Sequence, residues 1–127
     1  MSQGFVIYDA DDRIIVANRR IKELLPELAV VLIPGTHFSD LVSTAIAYQG
    51  LALDEQETVA VIAELTAMHR DLTKPWDINT GDERRLRVIG TRTKSGGIFE
   101  LTTDITKTHL AERALRQSEQ RFQDFAT

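Results

Sequence analysis

Ile98-Phe99-Glu100-Leu101-Thr102-Thr103-Asp104-Ile105-Thr106 is the most informative run in the chain. Residues 98–103 are an alternating, β-prone run and read as a strand. Lys107 to Phe125 follows as a polar helical pattern without Gly or Pro. Between the two, Asp104 or Thr106 is placed to cap the helix by accepting bonds from its first orphan N–H groups. Asp104 is also free to pair with a basic residue of the core. A strand that runs straight into a long exposed helix predicts mechanical coupling rather than catalysis. Asp104, Ile105 and Thr106 are then the candidate relay residues.

Working towards the N-terminus, Arg84 to Thr93 and Trp76 to Thr80 read as two more strands. They are separated from each other and from residue 98 by the turns Gly81-Asp82-Glu83 and Lys94-Ser95-Gly96-Gly97. Arg85, Arg87 and Ile89 alternate with Leu86, Val88 and Gly90, so one face of that strand is wetter than the other. The longest core helix is expected from Asp54, its candidate cap, to about Leu72. Val61, Leu65, Met68 and Leu72 form an apolar stripe along it. A shorter helix from Ser39 to about Tyr48 has Asp40 at its positive end and Gly50 closing it. Near the start, Phe5 to Asp9 and Arg13 to Ala17 form a hairpin around Ala10-Asp11-Asp12. Asn18 then caps a short helix that Pro26 ends. The order β-β-α-α-α-β-β-β-α predicts an α+β fold, a five-stranded antiparallel sheet with helices packed on one face. Residues 1–106 form the core and 107–127 the C-terminal helix.

Composition removes several classes of function. The chain has 127 residues, 43% apolar and 27% charged, which suits one ordinary domain with a core. With no cysteine there is no disulfide, thiolate metal site, nucleophilic thiol or cysteinyl chromophore. A net charge of −4 argues against general nucleic-acid binding. The apolar run from Leu28 to Ile33 is far short of the ~20 residues of a membrane span. No signal-peptide pattern opens the chain. A cytoplasmic location is therefore expected, with no membrane segment in this stretch.

This order and these residues resemble a PAS domain, the α/β sensor module of bacterial signalling proteins such as sensor histidine kinases and diguanylate cyclases. Gly4 to Ile14 is similar to the family's opening hairpin, although the family commonly has Gly where Asp12 stands. Ala17-Asn18-Arg19-Arg20 resembles its Asn-led first helix. Gly97 to Thr106 resembles the last strand and the Asp-Ile-Thr junction that leads into a signalling helix. Glu112 to Phe122 is similar to the linker that precedes a second such unit. The resemblance implies a sensory or dimerisation module in a longer signal-transduction protein, with the output domain in the same chain. It also implies a cap helix before the first strand, where only Met1-Ser2-Gln3 stand, and a homodimer made through flanking helices. A ligand-free dimerisation domain is the alternative. No catalytic activity is expected of the chain itself.

Candidate sites follow. Ala111, Leu115, Ser118, Phe122 and Phe125 repeat at heptad spacing and form a weak seam for a partner helix. Ile21, Val42, Ile62, Leu65, His69, Trp76, Leu86, Val88 and Phe99 are the expected lining of a small-molecule pocket between sheet and helices. His69 falls within the apolar stripe. The resemblance offers haem ligation there, because imidazole is a good axial ligand, but a hydrogen-bonded core histidine is the stronger reading. Trp76 could stack on a flavin, or anchor the sheet to a helix. No tightly bound cofactor is expected. Asp9, Asp11 and Asp12 lack the Gly and distal Glu of a calcium loop and read as a hydrated turn. Arg84, Arg85, Arg87 and Arg92 read as a solvated face and edge guard. His37 reads as a loop residue and His109 as solvated.

Overall fold

The computed structural model describes residues 3–126, with side-chain surroundings for residues 3–121. Two strands, β1 (Gly4–Tyr8) and β2 (Ile14–Ala17), open the chain. They are followed by α1 (Arg19–Leu24), a 3-10 turn (Pro26–Leu28), α2 (Phe38–Gln49) and α3 (Glu55–Arg70). Strands β3 (Trp76–Asn79), β4 (Arg85–Arg92) and β5 (Ile98–Asp104) come next, and α4 (Thr106–Ala126) ends the described chain. All pairings are antiparallel and the sheet order is β2-β1-β5-β4-β3. The strand that leads into α4 is therefore the central one.

Local chemistry sets the helix limits. Asn18 Oδ1 accepts from Ile21 N–H at 3.0 Å and from Phe5 N–H at 2.9 Å, so one side chain caps α1 and ties it to β1. His37, expected to be a plain loop residue, caps α2 instead, its Nδ1 accepting from Ser39 N–H at 3.1 Å. Gly50 ends α2 at φ 66°, a left-handed conformation that glycine adopts without a Cβ penalty. Asp54 and Glu57 form a reciprocal capping box at the start of α3.

The core lies between the sheet and the first helices. Tyr8, Ile21, Leu24, Leu86 and Ile98 are almost wholly buried. Each such side chain contributes about 1.5–3 kcal/mol through burial. Helix α2 adds Phe38, Leu41 and Val42. Helix α3 behaves differently. Its expected stripe does not close on the sheet: Val61 and Leu65 are half-buried and Met68 is exposed. The residue it does bury is His69, 1% exposed.

The arginines of the fourth strand also depart from expectation. β4 lies inside the sheet, so Arg85 and Arg87 guard no edge. Both bind Asp77 on the neighbouring strand, Arg85 Nε donating at 3.0 Å and Arg87 Nε at 2.9 Å. These bonds, Arg87's first, hold the Asp77 carboxyl below its ordinary pKa. Arg84 donates to the Leu24 carbonyl at 2.8 Å and Arg92 to the Gly96 carbonyl at 3.3 Å.

Candidate functional site: a cavity, a buried histidine and a strand-helix junction

A cavity of about 910 Å³ lies between the sheet and the helices, within the range of small-molecule sites. Of the pocket residues expected from sequence, Ile21, Val42, Leu65, Trp76 and Val88 line it. Ile62, His69, Leu86 and Phe99 do not. Ile62 is half-buried against the core cluster, and Leu86 is packed inside that cluster with no exposed surface. Phe99 points to the opposite face of the sheet, where it stacks on Phe5 at 5.7 Å between ring centroids. The reason is strand alternation. Ile98, Glu100 and Thr102 are the buried residues of β5, which sends 99 and 101 outward.

Glu100 is the consequence the sequence reading missed. A carboxylate on the core face, 6% exposed, needs a partner. It finds His69, whose Nδ1 lies 2.6 Å from Glu100 Oε2. The other ring nitrogen, Nε2, lies 3.3 Å from Asp12 Oδ1. Asp12 in turn accepts from Arg70, Nε at 2.9 Å and Nη2 at 2.6 Å. The ring is stacked on Phe38 at 4.0 Å and meets Tyr8 edge-on at 4.7 Å. Ionised carboxylates only accept hydrogen bonds, so both contacts are satisfied together when each ring nitrogen carries a hydrogen. Burial, then the nearby Glu100 and Asp12 carboxylates, push the Tyr8 phenol well above its ordinary pKa and keep it protonated.

This network corrects the expectation for Asp12. Asp12 is not in a hydrated turn: it is 3% exposed and takes φ 61°, the left-handed conformation a glycine would favour there. Asp9 holds the turn, its Oδ1 accepting from Asp11 and Arg13 N–H. His69 is committed at both nitrogens, so ligating an iron would require it to give up a carboxylate. Gly90 makes room for the turn after α3, since a Cβ there would fall 2.8 Å from Leu72 Cδ2. Gly90 is also the residue paired with Glu100 across the sheet.

Four residues beyond Glu100, β5 reaches the junction. Asp104 Oδ1 accepts from Thr106 N–H at 3.0 Å and from its hydroxyl at 2.5 Å. These two bonds, the hydroxyl's first, hold the Asp104 carboxyl below its ordinary pKa, and Arg84 and Arg20 add to the effect. Thr106 Oγ1 accepts from Arg85 N–H at 2.9 Å, and Ile105 N–H donates to the Arg85 carbonyl at 2.9 Å. The first turn of α4 is thus fastened to both β5 and β4. His109, expected to be solvated, lies 3.5 Å from Arg85 Nη1. Further along, Ala111, Leu115 and Ser118 are exposed, Leu115 at 60%. Phe122 and Phe125 lie outside the described side chains, as do Met1 and Ser2. Among the described residues, no helix is long and apolar enough to cross a membrane.

A family model described as the PAS fold matches residues 1–113. Among solved structures, the sensor region of a sensor histidine kinase is similar at 17% identity and a TM-score of 0.50, covering 84% of this chain and 40% of that one. The chain thus spans less than half of that structure's length. The Aer2 receptor from Vibrio cholerae, described as a dual PAS-haem oxygen sensor, is similar at 20% identity and a TM-score of 0.47, covering 84% and 96%. The PAS domain of an HTR-like protein from Haloarcula marismortui gives 10% identity and 0.37, covering 81% of each chain. No curated protein sequence matches the chain.

Proposed function

The chain belongs to the PAS-fold family of sensory domains, and from that premise we propose that it senses a small molecule in its cavity and relays occupancy through β5 to α4. One observation carries this reading. A single central strand bears Glu100 at the cavity wall and Asp104 at the start of α4. A ligand that alters the position of Glu100 acts on one end of a rigid element whose other end holds the helix. The shift is set by the ligand's differential affinity for the two arrangements. Helix α4 then biases an output domain in a longer signalling protein, of the histidine kinase or diguanylate cyclase kind. The chain itself is a relay, not a catalyst.

The helix requires a partner for this purpose. Leu115 of the expected seam is 60% exposed, and an apolar seam on an isolated helix is satisfied by a second copy. Dimerisation without a ligand is the second reading, and the seam favours it equally. The cavity volume supports the sensor reading, because an interaction domain needs no such space.

Native mass spectrometry of the purified chain tests both readings. A dimer with added non-covalent mass is the expected result. Neither dimer nor bound mass, even when the chain is exposed to a metabolite extract, contradicts the sensor reading. In the full signalling protein, Asp104→Ala is expected to leave the core folded and uncouple output from the ligand.

A further inference from the structure

The wall of the cavity is mainly apolar but carries polar groups as well, and one of them is a deeply buried carboxylate. Glu100 lines the cavity yet is only 6% exposed. Its Oε2 is engaged by His69 at 2.6 Å. A carboxylate has about four acceptor positions, so one imidazole contact leaves capacity for another donor. Thr102, 3% exposed, places a hydroxyl on the same strand face and also lines the cavity. Around them stand Val6, Tyr8, Leu41 and Val88. Across the lining, the carboxylates of Glu27, Asp82 and Glu100 outnumber the single guanidinium of Arg84, while that of Asp77 is held by Arg85 and Arg87. The Arg84 guanidinium is already held by Asp82 at 2.8 Å and by the Leu24 carbonyl.

We infer that the cavity's ligand is an amphiphile with an apolar body and a cationic, hydrogen-bond-donating head, and that the head shares the Glu100 carboxylate with His69. This rests on the sensor reading and adds the ligand's chemical class. An anionic head would meet a buried carboxylate, an arrangement that costs far more than it returns in a low-dielectric site. A neutral alkyl ligand would leave the Glu100 acceptor capacity unused. A cationic head would neutralise part of the charge that draws the His69 ring, and so would loosen the contact holding α3 to β5. Recognition and release are then one event at one carboxylate.

The test uses the full chain and a series with one alkyl body: octylamine, octanol and octanoate. Trp76 is the only tryptophan of the chain and lines the cavity, so its fluorescence reports occupancy directly. Octylamine is expected to bind about tenfold more tightly than octanol, as a charge-assisted bond would give, and octanoate most weakly. In Glu100→Gln the amine's advantage over the alcohol should vanish. Nitrogen-15 shifts of the His69 ring should move with octylamine and stay fixed with octanol. Octanoate binding as tightly as octylamine, an unchanged preference in Glu100→Gln, or no binding by the amine would each overturn the inference. The unmodified chain decides the order of the series even where Glu100→Gln fails to fold. Equal binding of amine and alcohol with Trp76 quenching would sink the head-group assignment while leaving the sensor reading in place.

Discussion

Helices α2 and α3 cover the same sheet by different means. α2 has 12 residues and buries Phe38, Leu41 and Val42. α3 has 16 and buries His69. The first is held by area, which is non-directional and lost only when the core opens. The second is held at its C-terminal end by a directional bond to Glu100 and an ion-pair link from Arg70 to Asp12, with a cavity beneath part of its length. Polar contacts of this kind have two discrete states, made and broken, so under the proposed sensor function α3 is the element that would respond. An element closed by packing alone would have no such switch.

Substitutions sharpen the contrast. Phe38→Ala should have the largest effect, because it removes a buried aromatic that packs on both Tyr8 and His69. Loss of about 3–5 kcal/mol is expected, read by urea unfolding as one cooperative transition. His69→Ala should cost about 3 kcal/mol, chiefly by leaving the Glu100 carboxylate buried without its donor. An unchanged midpoint for this variant would mean that the histidine contact adds nothing to stability. Asp104→Ala should cost about 1 kcal/mol, the value of a lost cap, with the loss confined to the first turn of α4. Far-ultraviolet circular dichroism and backbone amide shifts would locate it.

The smallest effect concerns pH. Asp77 and Asp104 have folded pKa values below those of the unfolded chain. Their stabilisation is present above the unfolded carboxylate range and is lost as pH falls through the lowered folded values. Stability measured by urea midpoint should therefore decline on acidification below the ordinary carboxylate range. Asp77→Asn should flatten part of that decline, and an identical acid limb in the variant would contradict the assignment to this residue.

Much of this molecule is legible in its sequence because the signals are local. The Asn18 and Asp54 caps, the Gly50 stop and the strand turns each act within a few residues, and the Asp104-Thr106 junction sits inside one short motif. The hidden part is the network at His69. Its partners stand 31 and 57 residues away, and one sequence carries no record of such pairings. A signal was nonetheless present. In Ile98-Phe99-Glu100-Leu101-Thr102, reading the large Phe99 as inward places Glu100 outward, whereas the backbone puts Glu100 inside and Phe99 outside. A histidine within an apolar stripe and a carboxylate of uncertain face were two halves of one pair. Asp12 was obscured in the same way: its carboxylate is buried because Arg70 and His69 reach it from another element.

Hydrogen exchange of His69→Ala against the unmodified chain shows whether the His69–Glu100 contact fastens α3 to the sheet. If the histidine contact fastens α3 to the sheet, amides of residues 55–70 will lose protection while those of α1, α2 and β5 keep theirs. Equal loss of protection across all of these elements would show that His69 is an ordinary core residue and not the fastening of a movable helix.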